Sequence, residues 1–305
     1  MGEVTEIVGV PGVGKTQLCM QAAVDATLPA GFGGVDGHAV YIDTEGSFAP
    51  DRCAQMAGAL HRHVRGMASR QTRQGADTEA AALTPDAQMA RIHVIRCTSL
   101  AEQIGAVLAL PSVIGALEAP PPSSSSSSSA SAGGPSASPC PRVRLVVVDS
   151  IAFHYRGDAS SADAGQRSRQ LAAQAQALHA LASERDLAVV VVNHVTTRLG
   201  SGGAGGAAPF GAGGGGAAAA VASAAMSGSA GGGHDALGGG SRLVPALGDS
   251  WAHACTNRLL LYWAGRTRVA RLAKSPSRPL GATAFAVTAE GIRRARPGEV
   301  DDEDT

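Results

Sequence analysis

The chain has 305 residues, and its 25 basic and 25 acidic side chains leave no formal net charge. A neutral chain does not attract nucleic acid through its overall field, so any such binding must come from local clusters of charge. The five cysteines form no C-x-x-C pair, which argues against a zinc site or a disulfide framework and fits a reducing compartment. We find no signal peptide and no apolar run of spanning length, which favours a soluble intracellular protein without a membrane partner.

Two stretches are too poor in large apolar residues to bury a core. Residues 120–141 contain seven consecutive serines among Pro and Ala, and residues 200–241 are almost wholly Gly, Ala and Ser. We predict that both are disordered insertions. The remaining ~240 residues suit a single α/β domain, which these insertions divide into segments 1–119, 142–199 and 242–292. A basic and then acidic tail is predicted at 293–305.

Predicted strands and helices alternate along the first two segments. Strands are predicted at 4–10, 38–43, 91–96, 143–149 and 187–193, with helices at 17–26, 51–64, 100–117 (interrupted near Pro111) and 164–184. Residues 251–262 change from a helical to a strand pattern, and 266–273 and 283–288 alternate as edge or antiparallel strands do. This order predicts an α/β fold with a mostly parallel central sheet, helices on both faces and extra C-terminal strands.

A complete phosphate-binding loop joins the first strand to the first helix: Gly9-Val10-Pro11-Gly12-Val13-Gly14-Lys15-Thr16. Its glycines allow successive backbone N–H groups to point inward, and the helix that follows adds the positive end of its dipole. Lys15 is one of only two lysines in the chain, and its ammonium suits contact with phosphates. Thr16 offers a hydroxyl to Mg²⁺. The motif predicts binding of a nucleoside triphosphate with Mg²⁺.

Two carboxylates follow buried strands. Asp149 ends the most apolar strand, where a carboxylate can hold Mg²⁺ beside Thr16. Glu45 follows a neighbouring strand and is the best candidate to orient an attacking water; a turn carboxylate without a role is the alternative. Lys15, Glu45 and Asp149 are therefore the candidate catalytic residues.

Several motifs together resemble one family. The loop at 9–16, the run 41–48, the strand ending at Asp149 and Asn193 resemble the RecA-type recombinases of the eukaryotic branch, which are P-loop ATPases of homologous recombination. Residues 31–35, 243–254 and 274–277 are more specifically similar to paralogue C of the strand-exchange recombinase. The resemblance implies a RecA-like ATPase core that uses ATP and Mg²⁺.

The resemblance also implies roles for individual residues. Glu45 would polarise the hydrolytic water and Arg52 would pack on the adenine ring. Lys274 would reach the γ-phosphate bound by a neighbouring subunit, and His253 would connect the nucleotide to a DNA-facing loop; an exposed lysine and a partly buried histidine without such roles are the alternatives. The residues expected to bind the nucleotide are those of the loop together with Gln17, Arg52, Asn193, His194 and Lys274.

DNA contacts are expected from two loops, at 156–169 and 195–243. The first carries Arg156, Arg167 and Arg169, which suit phosphate oxygens, although three arginines also fit a solvated face. The second has only Arg198 and Arg242 at its edges. The implied partners are single-stranded and branched DNA, related recombinase paralogues and the main recombinase. The first strand begins almost at Met1, so we expect no accessory domain in front of the core and weak self-assembly into filaments.

One residue departs from the family pattern. Where the family has Asn-Gln at the end of the fifth strand, this chain has Asn193-His194, and histidine is shorter, rigid and titratable near neutral pH. ATP hydrolysis is therefore expected to be weak. We predict a nuclear, DNA-dependent ATPase subunit of a hetero-oligomeric complex that acts in homologous recombination and double-strand break repair. The alternatives are an ATP-binding assembly factor with negligible hydrolysis and another RecA-fold motor such as a helicase.

Overall fold

The computed structural model describes residues 2–119, 142–157, 164–198 and 242–295, so the two predicted insertions and most of the predicted tail lie outside the described residues. The strands are β1 Val4–Gly9, β2 His38–Asp43, β3 Ile92–Arg96, β4 Val143–Asp149, β5 Ala188–Arg198, β6 Arg242–Pro245, β7 Asn257–Ala264, β8 Thr267–Lys274, β9 Gly281–Thr288 and β10 Gly291–Arg294. The helices are α1 Lys15–Asp25, α2 Pro50–Ala68, α3 Ala76–Ala82, α4 Pro85–Met89, α5 Leu100–Glu118, α6 His154–Gly157, α7 Ala164–Arg185 and α8 Gly248–Ala254.

The strands form one sheet with a parallel centre. Its order is β10-β9-β8-β7-β1-β5-β4-β2-β3, and β6 pairs with β5 outside this order. Every neighbouring pair from β7 to β3 is parallel, whereas β8, β9 and β10 pair antiparallel. The α/β fold with a mostly parallel sheet and additional C-terminal strands is therefore confirmed.

Helices cover both faces of the sheet. Val146 and Val148 of β4 belong to a core cluster that includes residues of α5 and α7. Leu145 and Val147, which point to the other face, pack in a second cluster with residues of α1 and α2. Because β4 is covered on both sides, its apolar run is continuous rather than alternating, as the sequence indicated.

Several element boundaries differ from the sequence prediction, and three of the differences have a direct physical reason. Helix α5 passes through Pro111 without interruption, since buried Leu110 and Ile114 on either side pack in the core and offset the lost backbone hydrogen bond. Strand β5 runs to Arg198 because β6 supplies antiparallel partners for its last four residues. Strand β10 takes in Arg293 and Arg294, which pair with β9, so the tail begins later than residue 293.

Helix α5 also corrects the expectation that no segment has spanning length. By length and composition alone, it could cross a membrane. Its buried residues Val107, Leu110 and Ile114 pack in the core cluster with β4 and α7. A core helix of a soluble protein passes the same test, so α5 is weak evidence for a membrane span.

A histidine pair at the amino ends of β2 and β3 should make stability depend on pH. His38 Nδ1 lies 2.8 Å from His93 Nε2. Burial lowers the pKa of both rings; His93 and Arg91 lower that of His38 further, while Asp36 and Glu118 act in the opposite direction. The unfolded chain therefore binds protons more readily, and the stabilisation present above the ordinary histidine pKa of 6.5 is lost as the pH falls.

We therefore expect the thermal unfolding temperature to fall between pH 7.5 and pH 5.5, and His93→Gln to make this fall smaller. Thermal unfolding of both proteins at the two pH values measures the effect. An equal fall in the variant would show that this pair does not carry the pH dependence.

Candidate nucleotide-binding site

The phosphate-binding loop lies between β1 and α1, and its glycines are required by geometry. Gly12 and Gly14 have φ values of 76° and 105°, which favour glycine because it lacks a Cβ. At Gly9, a Cβ would lie 2.6 Å from the carbonyl oxygen of Leu261 on β7 and 2.9 Å from a methyl group of Val13. The loop can therefore curl tightly against the sheet.

Lys15 lies inside this curl. Its side chain is buried, and Nζ donates to the carbonyl oxygens of Gly9 and Val10, each at 3.0 Å. These contacts hold the ammonium next to the loop backbone, as expected of a phosphate-binding lysine.

A pocket of about 380 Å³ opens beside Lys15. It lies at the carboxyl ends of β1, β2, β4 and β5, the edge of a parallel sheet where ligands bind. Its lining residues are Pro11, Gly12, Gly14, Lys15, Thr16, Gln17, Glu45, Asp149 and His194. The fold therefore brings the predicted phosphate-binding loop into one site with Glu45, Asp149 and His194, three candidate residues that the sequence places on or after other strands.

Asp149 is almost fully buried at the end of β4. Tyr41 Oη donates to its Oδ2 at 2.8 Å, and Thr16 also hydrogen-bonds to it. Burial, together with the charge of Glu45, raises the pKa of Asp149, although the two hydrogen bonds and Lys15 oppose this rise. A carboxylate and a hydroxyl oxygen are ligands that Mg²⁺ prefers, and a cation would offset the burial of the charge. The site therefore fits Mg²⁺.

A rigid turn positions Glu45. The Asp43 carboxylate accepts the backbone N–H groups of the next residues, including Gly46 at 2.8 Å and Ser47 at 3.1 Å. Gly46 has a φ of 76°, and a Cβ there would lie 2.8 Å from Arg96. The turn therefore fixes the direction in which the Glu45 side chain leaves β2.

Thr44 joins the turn to the end of β4. Its hydroxyl donates to the carbonyl oxygen of Ser150 at 2.8 Å and accepts the Ser150 N–H at 2.7 Å. Sequence reasoning did not identify Asp43, Thr44 or Ser150 as supporting residues. The signal was present, since each is a short polar residue at or just after the end of an apolar strand.

Glu45, Ser150 and His194 contact one another, and we call these three residues the Glu45 cluster. Ser150 Oγ donates to Glu45 Oε1 at 2.5 Å and lies 3.0 Å from His194 Nε2. His194 Nε2 is also in hydrogen-bond contact with Glu45 Oε1. Burial alone would raise the pKa of Glu45, but the hydrogen bonds from His194 and Ser150 and the charges of His194 and Lys15 outweigh it and lower the pKa to about 2.

Six of the predicted nucleotide-binding residues do not line the pocket: Gly9, Val10 and Val13 of the loop, and Arg52, Asn193 and Lys274 outside it. The amide of Asn193 donates to the fully buried Glu6 at 2.8 Å. Arg52 donates through Nε to Gln17 at 2.8 Å and through Nη1 to the carbonyl oxygen of Ala289 at 2.8 Å. Arg52 is therefore one contact away from the pocket, whereas Asn193 supports the sheet.

Lys274 lies away from the pocket of its own chain. Its Nζ donates to the carbonyl oxygens of Ala252 at 3.0 Å and Cys255 at 2.6 Å, where α8 ends. A cation is favourable at this end of a helix. His253, on the same helix, is exposed.

The five candidate DNA-binding arginines lie along two parts of the fold. Arg156 is in α6, Arg167 donates to the carbonyl oxygen of Tyr155, and Arg169 is exposed on α7. Arg198 and Arg242 are backbone partners where β5 pairs with β6. The residues between them, from 199 to 241, lie outside the described part.

Comparison with known proteins shows the family. The Rad51 family model matches residues 1–117 and 137–226. The chain is 34% identical over 291 residues to DNA repair protein RAD51 homolog 3 of Cricetulus griseus, an alignment that covers 95% of this chain and 63% of that protein. It is 31% identical over 292 residues to DNA repair protein RAD51 homolog 3 of Dictyostelium discoideum, covering 95% and 60%.

A further relative is DNA repair protein RAD51 homolog 2 of Homo sapiens, 28% identical over 295 residues, with 95% of this chain and 63% of that protein covered. The chain thus spans about three fifths of the length of these curated relatives. The resemblance predicted from the motifs is confirmed, including the similarity to paralogue C. The chain belongs to the Rad51 family.

Proposed function

We propose that this chain binds ATP with Mg²⁺ and acts in homologous recombination and DNA repair as a recombinase paralogue. The observation that carries the proposal is the convergence of the loop at 9–16, Glu45 and Asp149 on one pocket at the carboxyl edge of the sheet. A fold alone does not define a function, but this set of groups suits one chemistry, the binding and hydrolysis of a triphosphate.

Each group has a separate task in this proposal. The loop amides and Lys15 hold the phosphates, and Thr16 and Asp149 hold Mg²⁺, which would neutralise phosphate charge. Glu45 orients the water that attacks the γ-phosphate. Gln17 lines the pocket and accepts a hydrogen bond from Arg52, which would pack on the adenine ring.

DNA and protein partners form the second part of the proposal. Strand β5 contains both His194, which lines the pocket, and Arg198, four residues further along. A movement of His194 when nucleotide binds could therefore shift the proposed DNA-binding segment through this strand. The similarity to DNA repair proteins supports single-stranded or branched DNA, related paralogues and the main recombinase as partners in the nucleus. Lys274 would serve the nucleotide of a neighbouring subunit.

Replacement of Glu45 tests the catalytic part. We expect Glu45→Gln to retain Mg-ATP binding but to lower turnover by about 100-fold or to the background, because general-base assistance typically contributes this much. Phosphate release by the purified chain, with and without single-stranded DNA, measures the effect. The exposed Glu290 provides a matched control, since Glu290→Gln should leave the rate unchanged.

The alternative is an assembly factor that binds ATP without useful hydrolysis. The contacts of Glu45 with Ser150 and His194 favour it, since they weaken the proposed base. If turnover by the parent and Glu45→Gln is equal while ATP-dependent assembly with related paralogues persists, this second function is the correct one.

A further inference from the structure

Three neighbouring strands bring the Glu45 cluster together. Glu45 follows β2, Ser150 follows β4 and His194 is on β5 beside Gly9 of β1. Because these strands are neighbours or close neighbours in the sheet, the positions of the three side chains are set by strand pairing rather than by a long loop. His194 is also 9% exposed, which leaves its ring little freedom to turn.

The chemistry of the carboxylate determines the direction of the hydrogen bonds. An ionised carboxylate can only accept, so both the Ser150 hydroxyl and His194 Nε2 donate to Glu45 Oε1. Hydrogen bonds to the charged form stabilise it. The carboxylate is therefore held in place and has a weakened affinity for protons.

A weakened proton affinity matters for catalysis. A general base works best when its pKa lies near the operating pH. The pKa of Glu45, lowered to about 2, is far below neutrality. Lys15 Nζ donates to the carbonyl oxygens of Gly9 and Val10, each at 3.0 Å, so the loop backbone holds the ammonium that would contact the phosphates.

We infer that Ser150 and His194 are positioning residues that hold Glu45 in a form that hydrolyses ATP slowly, while leaving ATP binding intact. The inference rests on the proposed function and deepens it. It assigns to Ser150 and His194 a role in setting the rate of the step that Glu45 assists.

Two substitutions test the inference. Ser150→Ala removes one donor. His194→Asn removes the Nε2 donor but keeps a polar group near the position of Nδ1. We expect each to raise kcat by about three- to tenfold, because the Glu45 carboxylate becomes a stronger base. In Ser150→Ala, which changes no residue that lines the pocket, the KM for ATP and the calorimetric Kd for Mg-ATPγS should change by less than about twofold. A rise in kcat is a result that structural damage would not produce.

A second readout does not depend on turnover. In ¹⁵N NMR of the histidine rings of the nucleotide-free protein, Nε2 of His194 should be protonated, and the signal should be assigned by its loss in His194→Asn. Glu45→Ala removes the acceptor and should move this signal. His63→Asn and Ser69→Ala, at exposed positions on and after α2, are the matched controls and should change neither kcat nor the His194 signal.

The outcomes separate the inference from the proposed function. A rise in kcat in both variants with an altered His194 signal in Glu45→Ala supports it. Unchanged or lower kcat with normal ATP binding overturns it and leaves the proposed function standing. Failure of the folded parent to bind Mg-ATP contradicts the proposed function itself.

Discussion

Replacement of Lys15 by alanine is expected to weaken Mg-ATP binding by at least ~100-fold. The buried ammonium is already held by the loop, through hydrogen bonds to Gly9 and Val10 at 3.0 Å, so little ordering is needed when phosphates bind. Hydrogen bonds to charged groups contribute about 1.5–3 kcal/mol each, and about 1.4 kcal/mol corresponds to tenfold in affinity. Isothermal titration calorimetry measures the change.

The second lysine of the chain is a natural control. Lys274 donates to carbonyl oxygens at the end of α8 rather than facing the pocket of its own chain. We expect Lys274→Ala to leave the affinity of the isolated chain for Mg-ATP unchanged within about twofold. Equal affinities of the parent and Lys15→Ala for Mg-ATP would refute the proposed nucleotide site.

Substitution of Arg258 by methionine is expected to lower the free energy of unfolding by about 3–5 kcal/mol. Its Nε donates to Glu6 Oε2 at 2.7 Å, and the Glu6 side chain is fully buried between strands. Removing the arginine leaves a buried carboxylate that still accepts a hydrogen bond from the amide of Asn193. Urea unfolding followed by circular dichroism measures the loss.

Two further variants test whether the buried charge causes this loss of stability. Glu6→Gln removes the buried charge, so in the double variant it should restore much of the stability lost in Arg258→Met. Arg266→Met, in the exposed turn between β7 and β8, should change the free energy of unfolding by no more than about 0.5 kcal/mol. If the double variant is no more stable than Arg258→Met, the buried charge is not the cause.

Local sequence determined a large part of the molecule. The spacing from Gly9 to Thr16 predicts the loop because its glycine and lysine requirements are met within eight residues. The apolar run that ends at Asp149 and the run that precedes Glu45 each predict a strand. They also predict that these two carboxylates lie at the carboxyl ends of the strands. Since parallel strands place those ends at one edge, the sequence also predicts that these residues meet in one site.

Tertiary structure alone decided which partner each polar side chain has. Asn193 and His194 are adjacent in sequence, but successive strand residues point to opposite faces, so one binds the buried Glu6 and the other contacts Glu45. The contact of Ser150 with Glu45 joins residues 105 positions apart. Such hydrogen bonds depend on the order and register of strands that lie far apart in the chain, and no local pattern in the sequence specifies them.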